Sequence, residues 1–163
     1  MKRIVVYQSA TGFTAKYAGW IATELHCEAK ELKQTNLSDL SAYDMVIYGG
    51  WICANMISGY NKIKALNLSN VVVFGVGMSP CSTEVAARLV EQNGLDAQRF
   101  FYFEGGYKPE KVGFVKKLMM NMIKKSLEKK EEKSEEDLYM LATFKGADHT
   151  NKEAIKELLN YCL

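Results

Sequence analysis

Ser9-Ala10-Thr11-Gly12-Phe13-Thr14 joins an apolar run, Lys2 to Gln8, to a segment of helical periodicity, and its reading decides the fold. Lys2–Gln8 is nearly continuous in apolar character, the pattern of a strand buried on both faces. Residues 14–26 carry Ala15, Ala18, Ile21, Ala22 and Leu25 at helical spacing. A loop that opens a helix offers free backbone N–H groups and the positive end of the helix dipole, which suit a phosphate. Ser9, Thr11 and Thr14 add hydroxyl donors, and Gly12 lets the backbone approach closely. No lysine is required where an N–H nest supplies the donors. The bland alternative is a loop that only turns the chain and caps the helix.

Working outward, the alternation continues. Glu28–Lys33 reads as a polar edge strand, and Met45-Val46-Ile47-Tyr48 as a buried strand ending at Gly49-Gly50. A short helix is predicted over Gly59–Leu66. Val71–Val76 is a further buried strand, ending at Gly77-Met78-Ser79-Pro80. Thr83–Gln92 reads as a helix with Asn93-Gly94 as its stop. Arg99–Phe103 is the last strand, ending at Gly105-Gly106, and Asn151–Tyr161 is the final helix, with Ala154, Ile155, Leu158 and Leu159 apolar. Alternating strands and helices imply an α/β architecture with a parallel sheet of five strands and helices on both faces. Ligands bind such sheets at the carboxyl ends of the strands, where the glycine-rich stretches fall here.

With 163 residues, 48% hydrophobic and 25% charged, the chain suits one domain, 1–163, with residues 108–148 as a lysine-rich insertion. A net charge of +2 gives no case for nucleic acid. No stretch approaches the roughly 20 apolar residues of a membrane span, so the expected location is the cytosol. Cys27, Cys53, Cys81 and Cys162 are scattered, without metal-ligand spacing, and read as free thiols. Rival nucleotide motifs fail. Phe13-Thr14-Ala15 is not the Gly-Lys-Ser/Thr end of a Walker A loop, and GxGxxG is absent. A phospho-acceptor relative of the same fold would need acidic residues where Tyr7-Gln8 and Tyr48-Gly49 stand.

On the hydroxyl-x-Thr-Gly-x-Thr pattern of residues 9–14, the chain resembles the flavodoxin-like family over residues 1–107 and again in its last helix. Within it, the segment Gly113-Phe114-Val115-Lys116-Lys117-Leu118-Met119-Met120 is similar to one in the menaquinone-dependent protoporphyrinogen dehydrogenase branch. The resemblance implies strand order 2-1-3-4-5 and flavin mononucleotide (FMN) as cofactor. Its phosphate would lie on Ser9, Ala10, Thr11, Gly12, Phe13 and Thr14. Its ring would be held by Gly50, Trp51, Ile52, Cys53 and Ala54 and by Gly77, Met78, Ser79 and Pro80. It also implies an electron-transferring oxidoreductase whose partner is a redox protein or a quinone. A soluble electron carrier is the alternative, and a non-enzymatic interaction module is the third. The slightly basic charge departs from the acidic character of the family's carriers.

Several side chains admit two readings. Trp51 suits stacking on a flat ring or covering the sheet edge. Met78 and Tyr107 are ring contacts or packing. Cys53 and Cys81 are small hydrophobes or a redox pair beside the ring. His26 and His149 read as surface residues. Val115, Leu118, Met119, Met122 and Ile123 form one apolar stripe flanked by Lys116, Lys117, Lys124, Lys125, Lys129 and Lys130. Such a helix either lies on a membrane through 113–130, at the inner membrane face, or packs on the domain with its lysines solvated.

Overall fold

Ile4, Val5 and Val6 are almost wholly buried in strand β1, Arg3–Gln8, because both faces of the sheet are covered. A computed structural model describes residues 1–163. Its remaining strands are β2 (Glu28–Glu31), β3 (Met45–Cys53), β4 (Met56–Ile57), β5 (Val71–Gly77), β6 (Phe100–Glu104), β7 (Gly106–Tyr107) and β8 (Ala147–Asp148). The helices are α1 (Phe13–Glu24), α2 (Tyr60–Lys64), α3 (Thr83–Asn93), α4 (Phe114–Glu128), α5 (Glu135–Thr143) and α6 (Lys156–Cys162). The five long strands run parallel in the order β2-β1-β3-β5-β6. This is the expected order, counted without the short β4.

Side chains alternate between the two faces. Val5, Ile47, Val72, Phe74 and Phe103 pack under Tyr17, Ala18 and Ile21 of α1 and Leu158 and Cys162 of α6. Ile4, Val6, Val46, Tyr48 and Val73 pack under Ile63 of α2 and Val85 and Leu89 of α3. The final helix begins with a 3-10 turn, Lys152–Ile155, so Ile155 is buried while Ala154 is exposed.

One strand departs from expectation. β3 runs through Gly49-Gly50 to Cys53 instead of stopping. At Gly49 the Phe74 ring occupies the place of a Cβ, within 2.0 Å, and at Gly50 Ile57 Cγ2 and the Ser58 carbonyl stand 2.6 Å away. The glycines therefore admit neighbours rather than end the strand. β3 turns into β4 through Ala54 and Asn55, with φ of 48° and 61°. Two positive φ values are the signature of the tight hairpin turn that matches strand twist. Buried Asn93 of α3 pins the hairpin: its Oδ1 accepts from the Ile57 N–H at 2.9 Å, and its Nδ2 donates to the Asn55 carbonyl at 2.9 Å.

Residues 108–146 carry two helices hung from a clasp. β7 pairs antiparallel with β8, Gly106 opposite Asp148 and Tyr107 opposite Ala147. The His149 N–H extends the clasp to the Gly105 carbonyl at 2.8 Å. The acidic run Glu135-Glu136-Asp137 forms the first turn of α5, where carboxylates face the positive helix end. Ser134 and Asp137 complete a capping box there. α4 and α5 meet the sheet domain around three buried side chains, Tyr107, Leu127 and Phe144.

Candidate functional site

The amino end of α1 opens beside the carboxyl ends of β1, β3 and β5. Gly12 precedes the helix with φ of 101°, a conformation that side-chain-bearing residues rarely adopt, and no side chain caps the helix. The Gly12 N–H itself donates to Ser9 Oγ at 3.1 Å, which curls the loop. The first backbone donors of α1 are thus available to an anion.

A cleft gathers Ser9, Ala10, Thr11, Phe13 and Thr14 with Trp51, Ile52, Gly77 and Met78. Phe13 and Thr14 are buried, at 5% and 1% exposure, so the loop roots in the core while Ser9 and Thr11 stay partly open. Trp51 carries the Lys116 ammonium 4.5 Å from its ring centroid. Lys108 lies 4.6 Å over the Phe13 ring in the same way. Tyr107, placed by β7, closes another wall.

Six of the anticipated residues do not line the cleft. Gly50 is buried beneath the β3–β4 hairpin. Gly12 turns the chain without lining the cleft, and Pro80 lines neither it nor the neighbouring cavity. Cys53 and Ala54, carried past the cleft by the extended β3, line that second cavity of about 270 Å³. It shares Ile52, Gly77, Met78 and Met120 with the cleft. Ser79 also lines the second cavity, where its hydroxyl donates to Glu136 Oε1 at 2.6 Å.

Helix α4 roofs the cleft with Lys116, Met119 and Met120, joined by Val112. From sequence, 113–130 reads as one stripe, and nothing in its spacing places it over the site. The stripe is in fact divided. Met119, Met120, Ile123 and Leu127 face inward, whereas Phe114, Val115, Leu118 and Met122 are 57–84% exposed. Residues three and four apart share a helix face, and plotting the segment that way separates the two sets. With this roof down the cleft holds about 90 Å³ of free volume. Small-molecule sites run to roughly 300–1,000 Å³.

The remaining titratable groups do structural work. Burial opposes ionisation of Glu136, but hydrogen bonds from Arg88 and Ser79 outweigh it and hold the carboxyl below its ordinary value. Arg88 grips Glu136 at 2.7 Å, tying α5 to α3. The Tyr102 phenol, raised by burial, donates to the Ser79 carbonyl at 2.6 Å. Cys81 is exposed, and partial desolvation with nearby Glu104 pushes its thiol up, away from the reactive thiolate. Cys53 instead lies 3.8 Å from Met119 Sδ under the roof. His149 is half-buried rather than on the surface, with Nε2 3.2 Å from Thr143 Oγ1. His26 lies just past α1, exposed, with φ of 50°.

A family model described as a flavodoxin domain matches residues 4–134. The chain belongs to the flavodoxin domain family. No curated protein sequence matches it. Among solved structures, this flavodoxin-family chain is similar to oxidised Flavodoxin 2 from Bacillus cereus. The two share 21% identity at a TM-score of 0.45, with 76% of this chain and 96% of that one covered. It is similar to a flavodoxin from the domain Archaea, at 16% identity and a TM-score of 0.46, covering 89% and 97%. It is also similar to the Flv1 flavodiiron core from Synechocystis sp. PCC6803, at 14% identity and a TM-score of 0.48, covering 99% of this chain and 36% of that one. No helix of the flavodoxin-family chain is long and apolar enough to cross a membrane.

Proposed function

We propose that the cleft holds FMN and that residues 1–163 act as one unit passing electrons through it to a redox partner. The observation that carries this is the uncapped amino end of α1 behind Gly12, at the rim of three parallel strand ends. Those donors and the hydroxyls of Ser9, Thr11 and Thr14 suit a dianionic phosphate, so the residues present fit the group. Trp51 and Tyr107 offer aromatic faces to a flat ring, and Met78, Met119 and Met120 exclude water from it. The flavin, when bound, supplies one- or two-electron transfer, and the protein supplies grip and polarity. A tricyclic ring needs more room than 90 Å³, so α4 must lift for it to enter.

The finer reading is an oxidoreductase akin to the menaquinone-dependent protoporphyrinogen dehydrogenase branch, with a quinone as acceptor. The second cavity, apolar over most of its lining and sharing a wall with the cleft, supports it by offering space for an apolar substrate. A soluble carrier serving a redox protein is the other reading, supported by the family match.

Titrating the purified chain with FMN and with riboflavin, read by quenching of flavin fluorescence, tests the proposal. FMN should bind at least about tenfold more tightly, since only FMN carries the phosphate. Equal affinity, or no quenching by either, would overturn it.

A further inference from the structure

The outer face of α4 has no partner in the fold, and its chemistry is specific. Phe114, Val115, Leu118 and Met122 are 84%, 78%, 57% and 66% exposed, and they stand on one side of a 15-residue helix. Residues 111–130 hold seven lysines against the single Glu128. Glu128 is engaged by Lys124 at 3.8 Å, Lys130 is held by Asp137 at 2.8 Å, and Lys116 lies over Trp51. Lys117, Lys125 and Lys129 are exposed and take part in no ion pair.

We propose that this face docks α4 flat on an anionic lipid surface. Charge complementarity selects the occupant. A second copy would set one cluster of lysines against another. A bilayer with anionic headgroups instead offers carboxylates or phosphates to the lysines and hydrocarbon to the four apolar side chains. At about 1.5 Å per residue the helix lays roughly 22 Å of this face on the membrane. Its opposite side is the roof of the cleft, so docking holds the site one helix thickness from the bilayer. The docking surface stands independently of the flavin reading.

Co-sedimentation of the full chain, without added flavin, with vesicles of phosphatidylcholine alone or mixed with phosphatidylglycerol tests the proposal. Binding should be at least about tenfold stronger to the anionic vesicles and should weaken as salt is raised. Leu118→Ser with Met122→Ser, at positions lining neither cleft nor second cavity, should weaken it by about tenfold or more. The same protein should keep its circular dichroism and thermal midpoint. Equal binding to neutral vesicles would overturn docking on an anionic surface. So would binding untouched by the double substitution, or a concentration-dependent dimer that the substitution abolishes.

Discussion

The sheet domain and the α4–α5 layer are built to different standards of burial. In the sheet, Val5, Ile47, Tyr48, Val72 and Phe74 are entirely removed from solvent, with helices closing both faces. In the α4–α5 layer the buried contact with the rest of the chain is the small cluster of Tyr107, Leu127 and Phe144, each 6–8% exposed, joined by the polar links Arg88–Glu136, Ser79–Glu136 and Tyr139–Glu104. Local opening costs least where few apolar contacts must be broken. The half of the site made by Ser9–Thr14 therefore stands on a rigid base, whereas the half made by Met119 and Met120 is hinged to it. Under the proposed flavin reading the difference has a use: a roof that rises to admit a ring is better built as the weaker partner.

Breaking the strong region should have the largest effect. Phe74→Ala, which empties the space beside Gly49 and Phe103, should cost about 3–5 kcal/mol and lower the urea midpoint of the whole chain. Leu127→Ala should cost about 2 kcal/mol, the low end for such a truncation, because its cluster is small. Its hydrogen-exchange signature should be confined to residues 114–143. Equal loss of protection in β1 and β3 would show that the two regions open as one.

Acidification should act more gently and on the same boundary. The Glu136 carboxyl is held below its ordinary value in the folded chain, so its contribution is complete above the unfolded value of about 4.3. That contribution is lost as pH falls through the lower, folded value. As pH falls below about 4.3, pepsin should begin to cut around residues 129–134 before it cuts the sheet domain, and Arg88→Gln should remove most of that pH dependence. Cleavage that ignores pH over this range would mean that the Arg88–Glu136 pair does not hold the layer down.

The sheet was legible in the sequence because a strand covered on both faces must be apolar nearly throughout, as Val71–Val76 is. The loop between β1 and α1 was legible because Gly12 and the hydroxyl residues stand where an apolar run gives way to helical spacing. β3 was misread at Gly49-Gly50, where glycine makes room for Phe74 and the hairpin, an effect that depends on residues distant in sequence. The turn at Ala54-Asn55 lacks the Asn-Gly that announces a tight hairpin, so the displacement of Cys53 and Ala54 from the cleft was hidden too. In α4 the composition was read correctly, but the apolar residues serve two faces. Helical spacing separates the two faces, but only the position of the sheet domain shows which of them is covered.

The two-stranded clasp of β7 and β8 closes the base of the α4–α5 layer. It holds residues 107 and 147 side by side, so the chain leaves the domain and returns to it at a single point. Loop closure depends only weakly on length, at about 0.6 kcal/mol per doubling. What hangs between the clasp strands is thus exchangeable at small cost to the rest. A lineage could lengthen, shorten or recharge the roof, and so change which molecules reach the strand ends, while inheriting the Ser9–Thr14 loop unaltered.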